Sequence, residues 1–136
     1  MGKAIDTRNF VIAGHTGSGK TLLCEQILLQ AGAIARAGTI EGKNTVSDFM
    51  NDEHERGSSI YASLCSCTWN DLSLYFVDTP GYHKARTKLG DYMVNVAKSS
   101  IADVDLTVLV VEPIASVGPQ EEALLQQIKM GKCPAV

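Results

Sequence analysis

Short apolar runs alternate with stretches of helical spacing along this chain, and that alternation predicts its architecture. Asn9-Phe10-Val11-Ile12-Ala13 is an apolar run closed by Gly14, with the length and flanks of a buried strand. From Lys20 onward Leu22, Leu23, Ile27 and Leu28 recur at helical spacing, and Ala31-Gly32 closes that helix. Residues 33–58 lack periodicity and are rich in Gly, Asn, Asp and Glu, a long irregular stretch of the kind that usually carries function in a compact domain. Ile60 to Trp69 and Leu72 to Val77 are two strand candidates separated by Asn70-Asp71, which makes them a hairpin. Leu89 to Ile101 predicts a helix with Met93, Val94, Val96 and Ala97 on its apolar side. Leu106 to Val111 is a continuous apolar run suited to a strand covered on both faces. Pro119 opens a further helix through Ile128, proline fitting the first turn and Glu121-Glu122 the positive dipole end. Cys133-Pro134-Ala135-Val136 reads as the start of another strand. This order predicts a three-layer α/β fold whose sheet is mostly parallel with one antiparallel hairpin.

Composition narrows the function classes. The 136 residues amount to one domain at most, and 45% hydrophobic with 20% charged residues is the balance of a soluble globular chain. A net charge of −3 argues against a surface that grips nucleic acid, which needs a basic patch, so no direct nucleic-acid binding is expected. The N-terminus carries no signal-peptide pattern, and Asp6 stands where a myristoylation signal needs Ser or Thr. No apolar run approaches the ~20 residues that span a bilayer, so the expectation is a cytoplasmic protein without a membrane partner. Cys24, Cys65, Cys67 and Cys133 lack the paired spacing of a zinc site and are expected to be ordinary thiols, with Cys65 and Cys67 on one strand face.

The chemistry concentrates in two segments. Gly14-His15-Thr16-Gly17-Ser18-Gly19-Lys20-Thr21 satisfies G-x-x-x-x-G-K-[ST], the P-loop, with a predicted strand running into it and a predicted helix leaving it. Its glycines let backbone N–H groups turn inward around phosphate oxygens, and the helix N-terminus adds its positive end. Lys20 is then expected to neutralise β- and γ-phosphate charge, and the Thr21 hydroxyl to ligate Mg²⁺. Asp78-Thr79-Pro80-Gly81 closes the second hairpin strand. A carboxylate at that strand end can hold Mg²⁺ through water, Pro80 sets the chain direction, and Gly81 lets the backbone approach the γ-phosphate.

Arg8-Asn9-Phe10 with the P-loop, Ala31-Gly32, Asn44-Thr45-Val46-Ser47-Asp48, Glu55-Arg56-Gly57 and Asp78-Thr79-Pro80-Gly81 together resemble the G domain of elongation factor G and its close relatives over residues 8–82. From Gly81-Tyr82-His83-Lys84 through Lys88-Leu89-Gly90-Asp91-Tyr92-Met93, Ala97-Lys98 and Val104-Asp105-Leu106, residues 81–136 look like the Era-type ribosome-assembly GTPases. The resemblance implies a P-loop NTPase G domain with switch I at about 33–59 and switch II at about 78–91. It implies that Ser59 matches the switch I threonine whose hydroxyl completes the Mg²⁺ shell. It implies that Tyr82 stands where elongation-type factors carry the histidine that positions the attacking water. A phenol with an ordinary pKa of ~10 is a poor proton acceptor near neutrality, so hydrolysis is expected to be slow. His83 is expected to face solvent, His15 to pack or cap the loop, and His54 to lie on the surface. The Asp52-Glu53-Glu55 run is expected to be a solvated face.

The implied function is Mg²⁺-dependent binding and slow hydrolysis of GTP by a translation- or ribosome-associated switch. Lys20, Gly81 and Tyr82 would be the catalytic set, and the ribosome or rRNA would be reached through other domains. The N-K-x-D segment that reads guanine in such proteins would follow the strand begun at Pro134, so the domain is expected to be C-terminally incomplete. Guanine preference therefore comes from the resemblance alone, with GTP and GDP as the expected ligands. Two other readings stand beside it: a nucleotide-dependent interaction module with negligible turnover, and a fragment without function. A P-loop kinase is disfavoured, because a kinase needs neither D-T-P-G nor the Glu55-Arg56-Gly57 loop.

Overall fold

The computed structural model describes residues 6–81, 87–102 and 104–136. Strand β1 (Asp6–Gly14) runs through the middle of the sheet, and α1 (Lys20–Gln30) follows the P-loop. A short helix α2 (Asn51–Arg56) precedes the hairpin β2 (Ser63–Trp69) and β3 (Leu72–Asp78). Then come α3 (Lys88–Ser100), β4 (Leu106–Val110) and α4 (Pro119–Met130). The sheet order is β2-β3-β1-β4, with β1 parallel to both β3 and β4, and β2 antiparallel to β3. The expected fold class and its one antiparallel pair are therefore present.

Asn70 and Asp71 form the two-residue turn with φ of 47° and 63°, the left-handed pair that matches the twist of a tight hairpin. Beyond β4, the amides of Thr107 and Leu109 donate to the carbonyls of Pro134 and Val136 at 2.9 and 2.8 Å, and Val136 donates back to Thr107 at 3.0 Å. The segment at Cys133–Val136 thus pairs in parallel beside β4, as its pattern predicts.

The alternation of β1 builds two cores. Val11 and Ala13 face α3 and α4, packing with Ala97, Ile101, Leu124 and Ile128. Ile12 faces the other way, toward Cys24 and Leu28 of α1, Cys65 and Phe76. Phe10 stacks on Phe76 at a centroid distance of 5.0 Å within that second core. With helices on both faces the layers number three. Cys24, Cys65, Cys67 and Cys133 are free thiols, and Cys65 and Cys67 both belong to the α1 side. Among the described residues no helix is long and apolar enough to cross a membrane.

Three sequence expectations need correction. Leu22, assigned to the apolar face of α1, is exposed, because the helix turns that position toward the mouth of the P-loop instead of the sheet. The stretch 33–58 is not wholly irregular: Asn51–Arg56 is a helical turn and a half, ended by Gly57 at φ 69°. The first hairpin strand begins at Ser63 and not at Ile60, since the Ile60 and Tyr61 amides are taken by the Glu53 carboxylate at 3.1 and 3.2 Å and do not join the ladder.

Candidate functional site

The site grows from the ends of two neighbouring parallel strands. Ile12 of β1 lies opposite Asp78 of β3, so the P-loop and the D-T-P-G segment leave the sheet side by side at its carboxyl edge. The Thr79 hydroxyl, wholly buried, donates to the Ile12 carbonyl at 2.7 Å and ties the second segment to the first strand. Gly17 and Gly19 adopt φ of 81° and 100°, which residues with a Cβ rarely do, and that curls the loop back to the start of α1. The His15 carbonyl accepts from the Ser18 amide at 3.2 Å and from the Lys20 ammonium at 2.9 Å, so His15 acts on the loop through its backbone. A cavity of about 120 Å³ opens here, bounded by Thr16, Gly19, Lys20, Thr21, Ser59 and Gly81 among others.

Gly81 is held against the P-loop so closely that a Cβ would lie 2.5 Å from Thr16 Cα and overlap its hydroxyl. Glycine is required there by close approach. Gly14 ends β1 beside Val110, and the buried Ser18 hydroxyl has no hydrogen-bond partner among the described residues.

Around Asp78 the oxygens converge. Its Oδ2 accepts from the Thr21 and Ser47 hydroxyls, each at 2.7 Å. Thr21 Oγ1 lies 3.0 Å from Ser59 Oγ, and Ser59 donates to Asp48 Oδ1 at 2.6 Å. Every member of this chain is nearly sealed from solvent, Asp78 at 1% exposure and Asp48 at 5%. Burial is the first cause raising the Asp78 carboxyl above its ordinary range, against which Ser47, Thr21 and Lys20 work in the opposite sense. Burial likewise pushes Asp48 up to about 6, with the Ser59 hydrogen bond opposing. Lys20 is lowered by its own burial, Asp78 working against that. Two carboxyl groups raised and one ammonium lowered, all chiefly by burial, describe a pocket whose charged groups are withdrawn from water.

Asp78 Oδ1 is buried and has no hydrogen-bond partner among the described residues. That orphaned oxygen, with the hydroxyls of Thr21 and Ser59, makes a set of hard oxygen donors suited to Mg²⁺. Among the described residues no cluster of three or more His, Cys, Asp or Glu could cage a metal. A magnesium ion held here would complete its shell from phosphate oxygens and water, as that ion commonly does.

The structure brings Gly14, His15, Thr16, Gly17, Ser18, Gly19, Lys20, Thr21, Ser59, Asp78 and Gly81 to one place. Tyr82 and His83 lie outside the described residues. Ser59 is buried inside the cluster. Ser47 and Asp48 were missed as site residues; the sole sequence signal was their place in the Asn44–Asp48 block, which carried no chemistry of its own. His54 is half-buried and its Nε2 meets the Asp48 carbonyl at 2.7 Å, so it is not a plain surface residue. Glu53, expected in a solvated run, is 1% exposed. Its carboxylate accepts from the Met50, Ile60 and Tyr61 amides, because α2 turns it inward under its own loop. Glu25, to which sequence reading gave no role, is also 1% exposed and accepts from the Gly38 and Val46 amides.

A family model described as "Elongation factor Tu GTP binding domain" matches residues 5–136. Elongation factor G of Gluconobacter oxydans (strain 621H) is 35% identical over 115 residues, covering 85% of this chain and 15% of that protein. Peptide chain release factor 3 of Enterococcus faecalis (strain ATCC 700802 / V583) is 34% identical over 137 residues, covering 97% of this chain and 25% of that protein. The chain therefore spans a quarter or less of the length of these two relatives. In fold it is similar to Era of Aquifex aeolicus, with a TM-score of 0.71 at 20% identity over 96% of this chain and 39% of that one. The likeness to translation factors thus continues past residue 82, and the likeness in fold to Era extends to both sides of it.

Proposed function

We propose that this chain, which belongs to the elongation factor Tu GTP-binding domain family, is a Mg²⁺-dependent GTP switch that hydrolyses its nucleotide slowly. The observation that carries the reading is the buried oxygen cluster at the mouth of the P-loop, in which no described residue partners Asp78 Oδ1 beside Thr21, Ser59 and the Lys20 ammonium.

The glycine-lined turn presents backbone N–H groups to phosphate oxygens, and the start of α1 adds its positive end. Lys20 exchanges the His15 carbonyl for β- and γ-phosphate oxygens, a trade of a neutral for an ionic partner that favours its charged form. Thr21, Ser59 and Asp78 would hold Mg²⁺, Asp78 through water, with Asp48 steadying Ser59. Bound Mg²⁺ supplies neutralisation of charge that develops on the transferring phosphoryl group. Gly81 allows the D-T-P-G backbone to lie against the P-loop where the γ-phosphate would end. Lys20 and Gly81 stabilise charge in an in-line attack by water, and Tyr82 replaces the stronger proton acceptor of related factors. Intrinsic turnover on the order of 10⁻⁴ s⁻¹ is expected, as in unassisted switch GTPases. Residues 33–59 act as switch I and 78–91 as switch II. A ribosome or rRNA partner would be engaged through further domains, as the elongation and release factor relatives suggest.

The test is a set of titrations with fluorescent GTP, GDP and ATP analogues in Mg²⁺, followed by phosphate release, on the parent and on Lys20→Ala. The parent is expected to favour GTP over ATP, and Lys20→Ala to lose roughly 100-fold in affinity or more, about 2.7 kcal/mol. Equal retention of nucleotide by Lys20→Ala and parent, or equal affinity for GTP and ATP, would sink the reading.

A further inference from the structure

Residues 38–46 fold into a small lobe whose two ends converge on one side chain. The Glu25 carboxylate accepts from the Gly38 amide through Oε2 at 2.7 Å and from the Val46 amide through Oε1 at 2.5 Å. Inside the lobe the Thr39 amide donates to the Asn44 side chain at 2.9 Å and the Gly42 amide to the Thr39 hydroxyl at 3.0 Å. The two limbs touch backbone to backbone at Gly38, where a Cβ would sit 2.7 Å from the Asn44 carbonyl carbon and 2.9 Å from Thr45 Cα. Glu25 is 1% exposed, and among the described residues no basic side chain reaches it. A carboxylate buried without a cation is costly unless it is hydrogen-bonded, and here two loop amides donate, one to each oxygen.

The two residues after Val46 make this more than loop packing. Ser47 donates to Asp78, and Asp48 accepts from Ser59, so the residue Glu25 grips is the one that leads directly into the oxygen cluster. On α1, Glu25 sits four residues after Thr21, one turn along the same helix face. Thr21 reaches Asp78 while Glu25 reaches the lobe, so a single rigid helix spaces the metal-facing hydroxyl and the loop anchor.

We propose that Glu25 is a positioning residue that docks the 38–46 lobe onto α1 and thereby places Ser47 and Asp48 against the cation-holding oxygens. The proposal rests on the GTP-switch reading for its consequence, but the docking itself does not depend on nucleotide. Glu25→Gln keeps the volume and one acceptor, while its NH₂ group opposes the second amide. Amide exchange read by mass spectrometry on the nucleotide-free chain should be about tenfold faster over 38–46 and unchanged over β1 and α3. The ratio of GTP affinity with Mg²⁺ to that without it should fall about tenfold. Parental protection of 38–46 overturns the docking. Faster exchange with an unaltered Mg²⁺ ratio overturns the positioning role.

Should Glu25→Gln lose protection throughout, Gly38→Ala displaces the same lobe without touching α1. It must then show local loss of protection and the lowered Mg²⁺ ratio, and a parental value of either rejects the proposal. A parent that binds no GTP refutes the function reading, and with it the positioning role, while the exchange data still decide the docking.

Discussion

Gly81→Ala tests how closely the D-T-P-G segment must approach the P-loop. An ideal Cβ at this position falls 2.5 Å from Thr16 Cα and 2.7 Å from Thr16 Cβ. Carbon atoms in ordinary contact stand about 3.5–4.0 Å apart, so the shortfall is about 1 Å. Thr16 Cα is backbone and cannot rotate away, so the two segments must part by that amount. Overpacking of this kind costs about 1–3 kcal/mol. Because Gly81 and Thr16 both border the cavity, the parting falls where the γ-phosphate would end, and that energy corresponds to about a 5–150-fold loss of GTP affinity. GDP lacks the γ-phosphate, and its affinity should stay within about twofold. Parallel titrations of GTP and GDP analogues in Mg²⁺ measure both, with thermal melts of the free protein as a control for fold damage. An unchanged GTP-to-GDP ratio, with either no loss or an equal loss for both, refutes the close-approach reasoning.

Two further perturbations probe the same neighbourhood. Asp48, raised from 3.8 to about 6, binds a proton in the native state that the unfolded chain has already released across that window. The stability that Asp48 contributes to the nucleotide-free protein should therefore fall as pH rises from about 4 to about 6 and level off above, while Mg²⁺-dependent nucleotide affinity should rise over the same range. Urea midpoints of parent and Asp48→Asn across that range check this, and a parent curve that rises against the Asn curve, or an Asn curve with the parent's slope, contradicts it. Thr79→Val removes a wholly buried 2.7 Å hydrogen bond to the Ile12 carbonyl and should cost about 1–3 kcal/mol in denaturant unfolding. A cost under about 0.5 kcal/mol would show that the tie between β1 and β3 at this edge contributes little.

Much of this was legible from local pattern. Strand-loop-helix at Asn9 to Gln30 reads directly, because a P-loop is contiguous, its glycines shaping the turn and its lysine and threonine opening the helix that follows. The Asn70-Asp71 turn was equally plain, since two residues at positive φ leave few alternatives for a hairpin. The segment between residues 33 and 62 was not. Glu53 looked solvated among other acids, yet α2 aims it at three backbone amides of its own loop. Leu22 looked like core, yet its side of α1 meets the cavity instead of the sheet.

The amino-acid order alone determined the layers, the sheet's polarity and the glycine-rich loop between β1 and α1. Each depends on periodicity or on residues within a few positions of one another, and such short-range constraints are written in the chain. Only the tertiary structure decided that Ser47 and Asp48 join Thr21, Ser59 and Asp78, across separations of up to 57 residues. It alone turned Glu25 and Glu53 from charged helix residues into buried anchors. A carboxylate's role depends on which amides or hydroxyls reach it once water is gone, and nothing in local spacing specifies those partners.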